Sequence, residues 1–277
     1  MIGISYRVVA VFLFSYGVCG CVSTQAVQQY AAYSRTMIDQ VQPVAADFYD
    51  SCVRSNQYRP FENHSQCTSE KAAAAGIGNV ALVLDRYNSA LGALAADSKV
   101  AFDKELDGLA AEIGTLPIGI NKTQIDAVGS ITKLLANAAA SGYQKHEVAK
   151  FVRQANTSVF VVSDALASMI EKNYDLAISN ELLAWESSFR TAEKTSKDLH
   201  SPTWNSYADA QWQQRAGLEK KLEASKMLAA ALRRIGATHQ QLSDDADKLS
   251  SAEIAAAVTA FYDKAKPVLA QSRAAFK

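Results

Sequence analysis

Proline and glycine are scarce: five and thirteen in 277 residues. With few breakers, and alanine clusters at 72–75, 138–140, 229–231 and 255–257, the composition favours helix, and small side chains let helices approach closely. No alternation of apolar and polar residues argues for a strand. Excess charge is lacking too: Lys and Arg number 28, Asp and Glu 28, so no net field draws nucleic acid or an anionic surface. A membrane-spanning run is also missing. The uncharged stretch Val8–Val18 rises only about 16 Å as a helix, roughly half of a ~30 Å hydrocarbon core.

Signatures of catalysis are equally thin. His146-Glu147 begins the zinc-protease pattern H-E-x-x-H, but the fifth residue is Lys150, so the second ligand is missing. Asp244-Asp245-Ala246-Asp247 lacks the glycine and terminal glutamate of a calcium loop, and Gly76-Ile77-Gly78 follows no strand. There is no P-loop and no G-x-S-x-G elbow. His64, His146, His200 and His239 are scattered, although a triad is defined by geometry and could assemble in space. His239 falls in register with Leu232 and Leu242, as a neutral histidine at a core margin would. No cofactor and no resident metal are implied.

What is present begins at the amino terminus. Met1–Arg7 supply an amine and one guanidinium, and Val8–Val18 follow as an export signal's apolar region. The segment Val18-Cys19-Gly20-Cys21 resembles the lipobox of bacterial lipoproteins, with Cys19 where Ala or Ser is usual. That resemblance covers residues 1–21 alone. It implies a signal peptide over 1–20, cleavage after Gly20, and acyl chains on Cys21 that hold the protein to a bilayer. Val22 rather than Asp after the cysteine resembles the outer-membrane sorting pattern of Gram-negative bacteria, which implies a protein facing the periplasm. Ordinary signal cleavage, with small residues at Val18 and Gly20 or a second site at Thr24-Gln25-Ala26, is the alternative.

Cysteine usage fits export. With Cys19 removed and Cys21 lipidated, Cys52 and Cys67 remain, and an even remainder in an oxidising compartment reads as one disulfide. Its loop, Val53–Gln66, would give about 3 kcal/mol in the chain-entropy picture. Two unpaired buried thiols are the plainer reading. A zinc site with His64 would offer three ligands and no second paired cluster.

Cys21–Lys277 reads as one all-α domain, an elongated antiparallel bundle of five to seven long helices. From Val80 the apolar or small positions step through Leu84, Tyr87, Leu91, Leu94, Ser98, Ala101, Leu109, Ile113 and Leu116, with a gap at Glu105 or Leu106 that either residue can fill. A second series runs from Val148 through Val152, Ala155, Val159, Val162, Leu166, Ile170, Tyr174, Ile178, Leu182 and Trp185 to Phe189. Steps of three and four predict long amphipathic helices, the second on the order of 60 Å if unbroken. The first helix is expected from Ser23 or Thr24 to about Tyr58, kinked at Pro43, and the next from Thr68 to Leu116. Pro117–Asn121 forms a break and the candidate hinge. Asn121 with Gln124, Ser201-Pro202, and Ser250 with Glu253 mark later helix starts.

One residue cluster invites a functional reading: Trp204, Tyr207 and Trp212. On a helix Tyr207 lies about 60° and Trp212 about 80° from Trp204, so the three could line one face near the helix start. They could form a partner hot spot, a platform for sugar rings, or merely the plugged end of a bundle. Two functions follow. A membrane-anchored, non-catalytic interaction module, serving envelope assembly or inhibiting a partner in the manner of an immunity protein, matches the long balanced helical faces. An exported hydrolase of cell-envelope material is the alternative.

Overall fold

The computed structural model describes residues 24–59, 65–101, 104–106, 108–116, 118–141 and 145–277. The signal segment and Cys21 therefore lie outside the described residues, as do His64 and Pro117. The regular elements described are helical: α1 (Gln25–Ile38), α2 (Val41–Gln57), α3 (Thr68–Ala95), α4 (Leu109–Ile113), α5 (Lys122–Ser141), α6 (Val148–Met169), α7 (Asp175–Thr195), α8 (Pro202–Asp244) and α9 (Ala252–Ala275). A π-helical turn, Ile170–Tyr174, joins α6 to α7 without a break. Counting that rod once and setting aside the single-turn α4, seven helices among the described residues form an all-α bundle.

The second apolar series is the inner face of the α6–α7 rod: every member is buried except Leu182, which is half-buried. The first series is interrupted. α3 stops at Ala95 because Asp97 takes a left-handed φ of 58° and Ser98 N–H turns back to the Ala93 carbonyl. Leu109 and Ile113 still reach the core, but from the separate α4. The expected helix from Thr68 to Leu116 is thus two helices. Likewise the first helix breaks at Asp39–Gln40 rather than kinking at Pro43, which sits in the first turn of α2, where its missing N–H has no partner to lose.

Caps follow local chemistry. Asn121 and Gln124 form the reciprocal box, Gln124 N–H donating to Asn121 Oδ1 at 3.0 Å and Asn121 N–H to Gln124 Oε1 at 2.9 Å. Ser201 Oγ accepts from Trp204 N–H, with Pro202 next in line. For α9 the cap is Ser251 and not Ser250, since Ser251 Oγ is the group that accepts from Ile254 N–H. Pro267 is accommodated inside α9, which continues to Ala275.

Packing sets two poles. Arg35–Asp85 and Thr24–Ala95 contacts run α1 antiparallel to α3, and Arg233–Asp164 and His239–Asn156 run α8 antiparallel to α6. Gln25, Ala26 and Gln29 share a cleft with Leu249, Ser251 and Ala255, so the start of α1 lies beside the carboxyl end of α8. At 43 residues α8 spans about 64 Å. Its amino end is therefore far from where the described chain begins. Cys52 of α2 is bonded to Cys67 just before α3, with Cα atoms 5.9 Å apart, and this staple fixes the α2–α3 connection. Gly76 lets Leu116 and Ile118, on either side of the Pro117 break, lie directly on α3, where a Cβ would come within 2.9 Å of Ile118.

Candidate functional site

Among the described residues, the bundle thins to two helices at the amino end of α8. No residue from Pro202 to Gly217 is buried, whereas from Leu218 onward nearly every turn of α8 contributes to the core. On α7 the last buried residue is Phe189. The ends of α7 and α8 thus form a helical arm, and all three tryptophans of the chain stand on it. Phe189 is their hub: its ring centroid lies 6.0 Å from Trp204, 6.3 Å from Tyr207 and 5.5 Å from Trp212. Trp185 stacks on Phe189 at 5.2 Å and meets Trp212 edge-on at 5.5 Å. The Arg215 guanidinium lies 5.3 Å from the Trp185 ring and 5.2 Å from that of Trp212, within cation–π range.

Trp204, Tyr207 and Trp212 of α8 all reach Phe189, Tyr207 and Trp212 from opposite flanks of Trp204. Trp204 touches Tyr207 at 5.5 Å, while Trp212 joins the group through α7. Trp204 and Tyr207 are half-buried and Trp212 is 50% exposed. Phe189 and Trp185 were legible only as members of a core series. Their part in the ledge depends on which stretch of α8 lies opposite, and sequence spacing within α7 carries no such information.

A buried ion cluster clamps the base of the arm. Asp47 of α2 accepts from Arg54 Nη1 and Nη2 at 2.9 and 3.1 Å, from Lys221 Nζ of α8 at 2.6 Å, and from the Tyr174 hydroxyl at 2.7 Å. Arg54 turns its other edge to Glu181 of α7, donating from Nε at 2.6 Å and Nη2 at 3.0 Å. Two carboxylates thus meet two cations. Burial pushes the Asp47 carboxyl upward, but hydrogen bonds from Arg54, Lys221 and Tyr174 outweigh it and hold the group below its ordinary range. Both Asp47 oxygens are saturated with donors, so the carboxylate is poorly placed to act as a general base. Chemically the arrangement is a clamp. The pairs Asp47–Tyr174 and Arg54–Glu181 share one sequence offset, so α2 and α7 run parallel. Tyr174 closes the π turn, whose extra residue resets the face that α7 presents to α2.

The remaining candidates scatter. His146 and His200 are exposed on different elements. His239 is fully buried, deeper than the core margin expected of it. Its Nε2 accepts from the Tyr87 hydroxyl at 2.6 Å and its Nδ1 faces Asn156 Oδ1 at 3.2 Å. Because Asn156 Nδ2 donates to Gln240, its oxygen is left to accept, which assigns the proton to Nδ1. Of the Asp244–Asp247 run, Asp244 accepts from Gln240 and Asp247 pairs with Arg153. Glu70 approaches Cys52 and Cys67, but sulfurs bonded to each other are not thiolate ligands. No family model, no curated protein and no solved structure matches this chain.

Proposed function

We propose that the protein is a lipid-anchored envelope component of a Gram-negative bacterium, held to the outer membrane by acyl chains on Cys21 and facing the periplasm. It acts without catalysis, as a helical module that docks a protein partner. The observation that carries the reading is the aromatic ledge: three tryptophans, a tyrosine and a phenylalanine on a two-helix arm, with Trp212 half-exposed and the base clamped by buried charge. Aromatic residues with an arginine are the composition of energetic hot spots at interfaces.

The two poles support this arrangement. Only Val22 and Ser23 separate Cys21 from Thr24, a reach of about 10 Å even when extended. The anchor would then hold the carboxyl end of α8 near the bilayer and direct the ledge on the order of 45–60 Å away from it. Several acyl chains on one residue exceed the two signals needed for stable anchoring.

Mass spectrometry of the amino-terminal peptide, from protein isolated out of membranes, tests the anchor. We expect a mature chain beginning at acylated Cys21, and a Cys21→Ala protein that is folded but lost from the membrane fraction. An unmodified peptide beginning after Ala26 rejects the anchor. Alanine scanning tests the mode of action: ledge aromatics should matter and scattered acids and histidines should not. One histidine or acid whose loss abolishes an activity without unfolding the chain would instead establish a hydrolase.

A further inference from the structure

Joined by the short turn over residues 245–251, α8 and α9 lie antiparallel and leave a cleft between them. Arg234, Thr238 and Gln241 fall on one face of α8 at i, i+4 and i+7, and Ala257, Ala260 and Lys264 face them from α9 at i, i+3 and i+7. The antiparallel run brings Arg234 level with Lys264 at the end of the cleft away from the turn. Alanine at 257 and 260 keeps the space open, since a longer side chain there would fill it. Phe261, only 3% exposed, is the apolar floor. The volume is about 260 Å³. That is just under the ~300–1,000 Å³ of pockets for drug-sized ligands, so the cleft suits a small molecule.

The polar groups of the cleft are unmet. Arg234 and Lys264 have no ion-pair partner among the described residues, and no acid stands three or four residues from either along its helix. Arg233, the next residue, is by contrast engaged by Asp164 and Glu171 of α6. Thr238 is 7% exposed, yet its side chain makes no hydrogen bond among the described residues, whereas Thr259 of α9 donates to the Ala255 carbonyl one turn back. A buried hydroxyl left in this way is one that a bound group can satisfy.

We infer that the α8–α9 cleft binds a small organic phosphate, its phosphate monoester between Arg234 and Lys264 and its carbon body over Phe261, with Thr238 bonding a polar atom of the ligand. Charge balance favours phosphate over carboxylate. A monoester carries about −1.5 to −2 at pH 7 and meets both cations, whereas a single carboxylate leaves one positive charge over. Arg234 offers a planar fork to two oxygens and Lys264 a point charge. The cleft lies at the opposite end of α8 from the aromatic ledge, so the inference stands apart from the interaction-module reading. Gln241 is three residues from the end of α8, at the pole beside the start of α1. Two sources of the same chemistry therefore compete, a soluble phosphate ester and the headgroup of a lipid.

Isothermal titration calorimetry of the full chain in dodecyl maltoside tests this, with phenyl phosphate as the soluble probe and dihexanoyl phosphatidic acid as the lipid probe. We expect one site per chain. Arg234→Gln, Lys264→Gln and Thr238→Val should each weaken Kd by about fivefold or more. Ala260→Leu, which fills the cleft without removing a charge, should do the same. Lys266→Gln, which removes a cation two residues further along α9, should leave Kd within about twofold. Benzoate, the same ring with one negative charge, should bind about fivefold or more weakly than phenyl phosphate. Arg234, Ala260 and Lys264 are exposed, so their variants should keep the wild-type far-ultraviolet spectrum and decide the matter without Thr238→Val. Tighter binding of phenyl phosphate makes the source soluble and tighter binding of the lipid makes it a headgroup; either supports the inference. No heat from either probe, a Kd indifferent to Arg234→Gln and Lys264→Gln, an equal loss from Lys266→Gln, or benzoate as tight as phenyl phosphate overturns it.

Discussion

Arg54 is the residue on which the base of the arm depends. It is the only cation that touches both Asp47 and Glu181 among the described residues, so Arg54→Met leaves Glu181 buried without its partner and Asp47 with Lys221 and Tyr174 alone. Breaking such a buried pair costs about 3–5 kcal/mol, which urea denaturation should register as a lower midpoint with an unchanged slope. His239 sets the response to acid. Burial pushes its pKa down to about 3, so the unfolded chain takes up a proton near pH 6.5 that the folded chain refuses. Stability should therefore fall as pH drops from about 6.5 toward 3, by at most ~1.4 kcal/mol per pH unit from this one group. His239→Gln should flatten that slope when denaturation is followed between pH 6 and 4. Asp47 acts in a lower window: its folded pKa is depressed, so its contribution is present above the unfolded value near 3.9 and disappears as pH falls through the folded one. None of these roles is legible in the sequence, where Asp47, Arg54 and Glu181 look like any charged positions on a helix.

At the scale of elements, the glycines of α8 separate propensity from packing. Gly217 lies in the helix with open space where a Cβ would stand, so Gly217→Ala should raise stability by up to about 1 kcal/mol. Gly236 is where α6 crosses: a Cβ there would sit 3.2 Å from the Phe160 backbone and 3.4 Å from Ser163. Gly236→Ala should forfeit the same gain and destabilise by about 1–3 kcal/mol, because the α6–α8 spacing must open. Thermal melts of the two variants should move in opposite directions. Both glycines fit a helix by sequence alone. Helix starts were more legible, since a cap is a contact over three or four residues: Asn121 with Gln124 and Ser201 with Pro202 are at their expected places. Helix ends were less so. Leu84 to Leu116 keeps its period across a break at Asp97 because Leu109 and Ile113 return to the same core from a new helix.

For the whole molecule the disulfide and the arm are linked through α2. Cys52 stands two residues before Arg54, and the bond to Cys67 holds the carboxyl turn of α2 against the start of α3. Cys52→Ser with Cys67→Ser should cost about 3 kcal/mol overall by loosening the unfolded-state constraint. Amide exchange should speed up in residues 52–58, with α8 beyond Leu218 protected as before, since its partners in α6 and α9 are untouched. Fast exchange throughout α8 would mean that the arm and the bundle unfold as one unit.

The sequence by itself determined the helical class, the inner face of the long α6–α7 rod, several helix starts and the pairing candidates Cys52 and Cys67. These are set by periodicity, capping chemistry and residue count, all of which act over a few neighbours along the chain. Tertiary structure alone decided that α2 runs parallel to α7, that Asp47, Arg54, Glu181 and Lys221 share one buried site, and that Trp212 rests on Phe189 at an open end of the bundle. Those facts depend on which helices lie side by side and at what level, and local spacing fixes neither. The partners Asp47 and Lys221 are 174 residues apart, and only the packed core holds them at 2.6 Å.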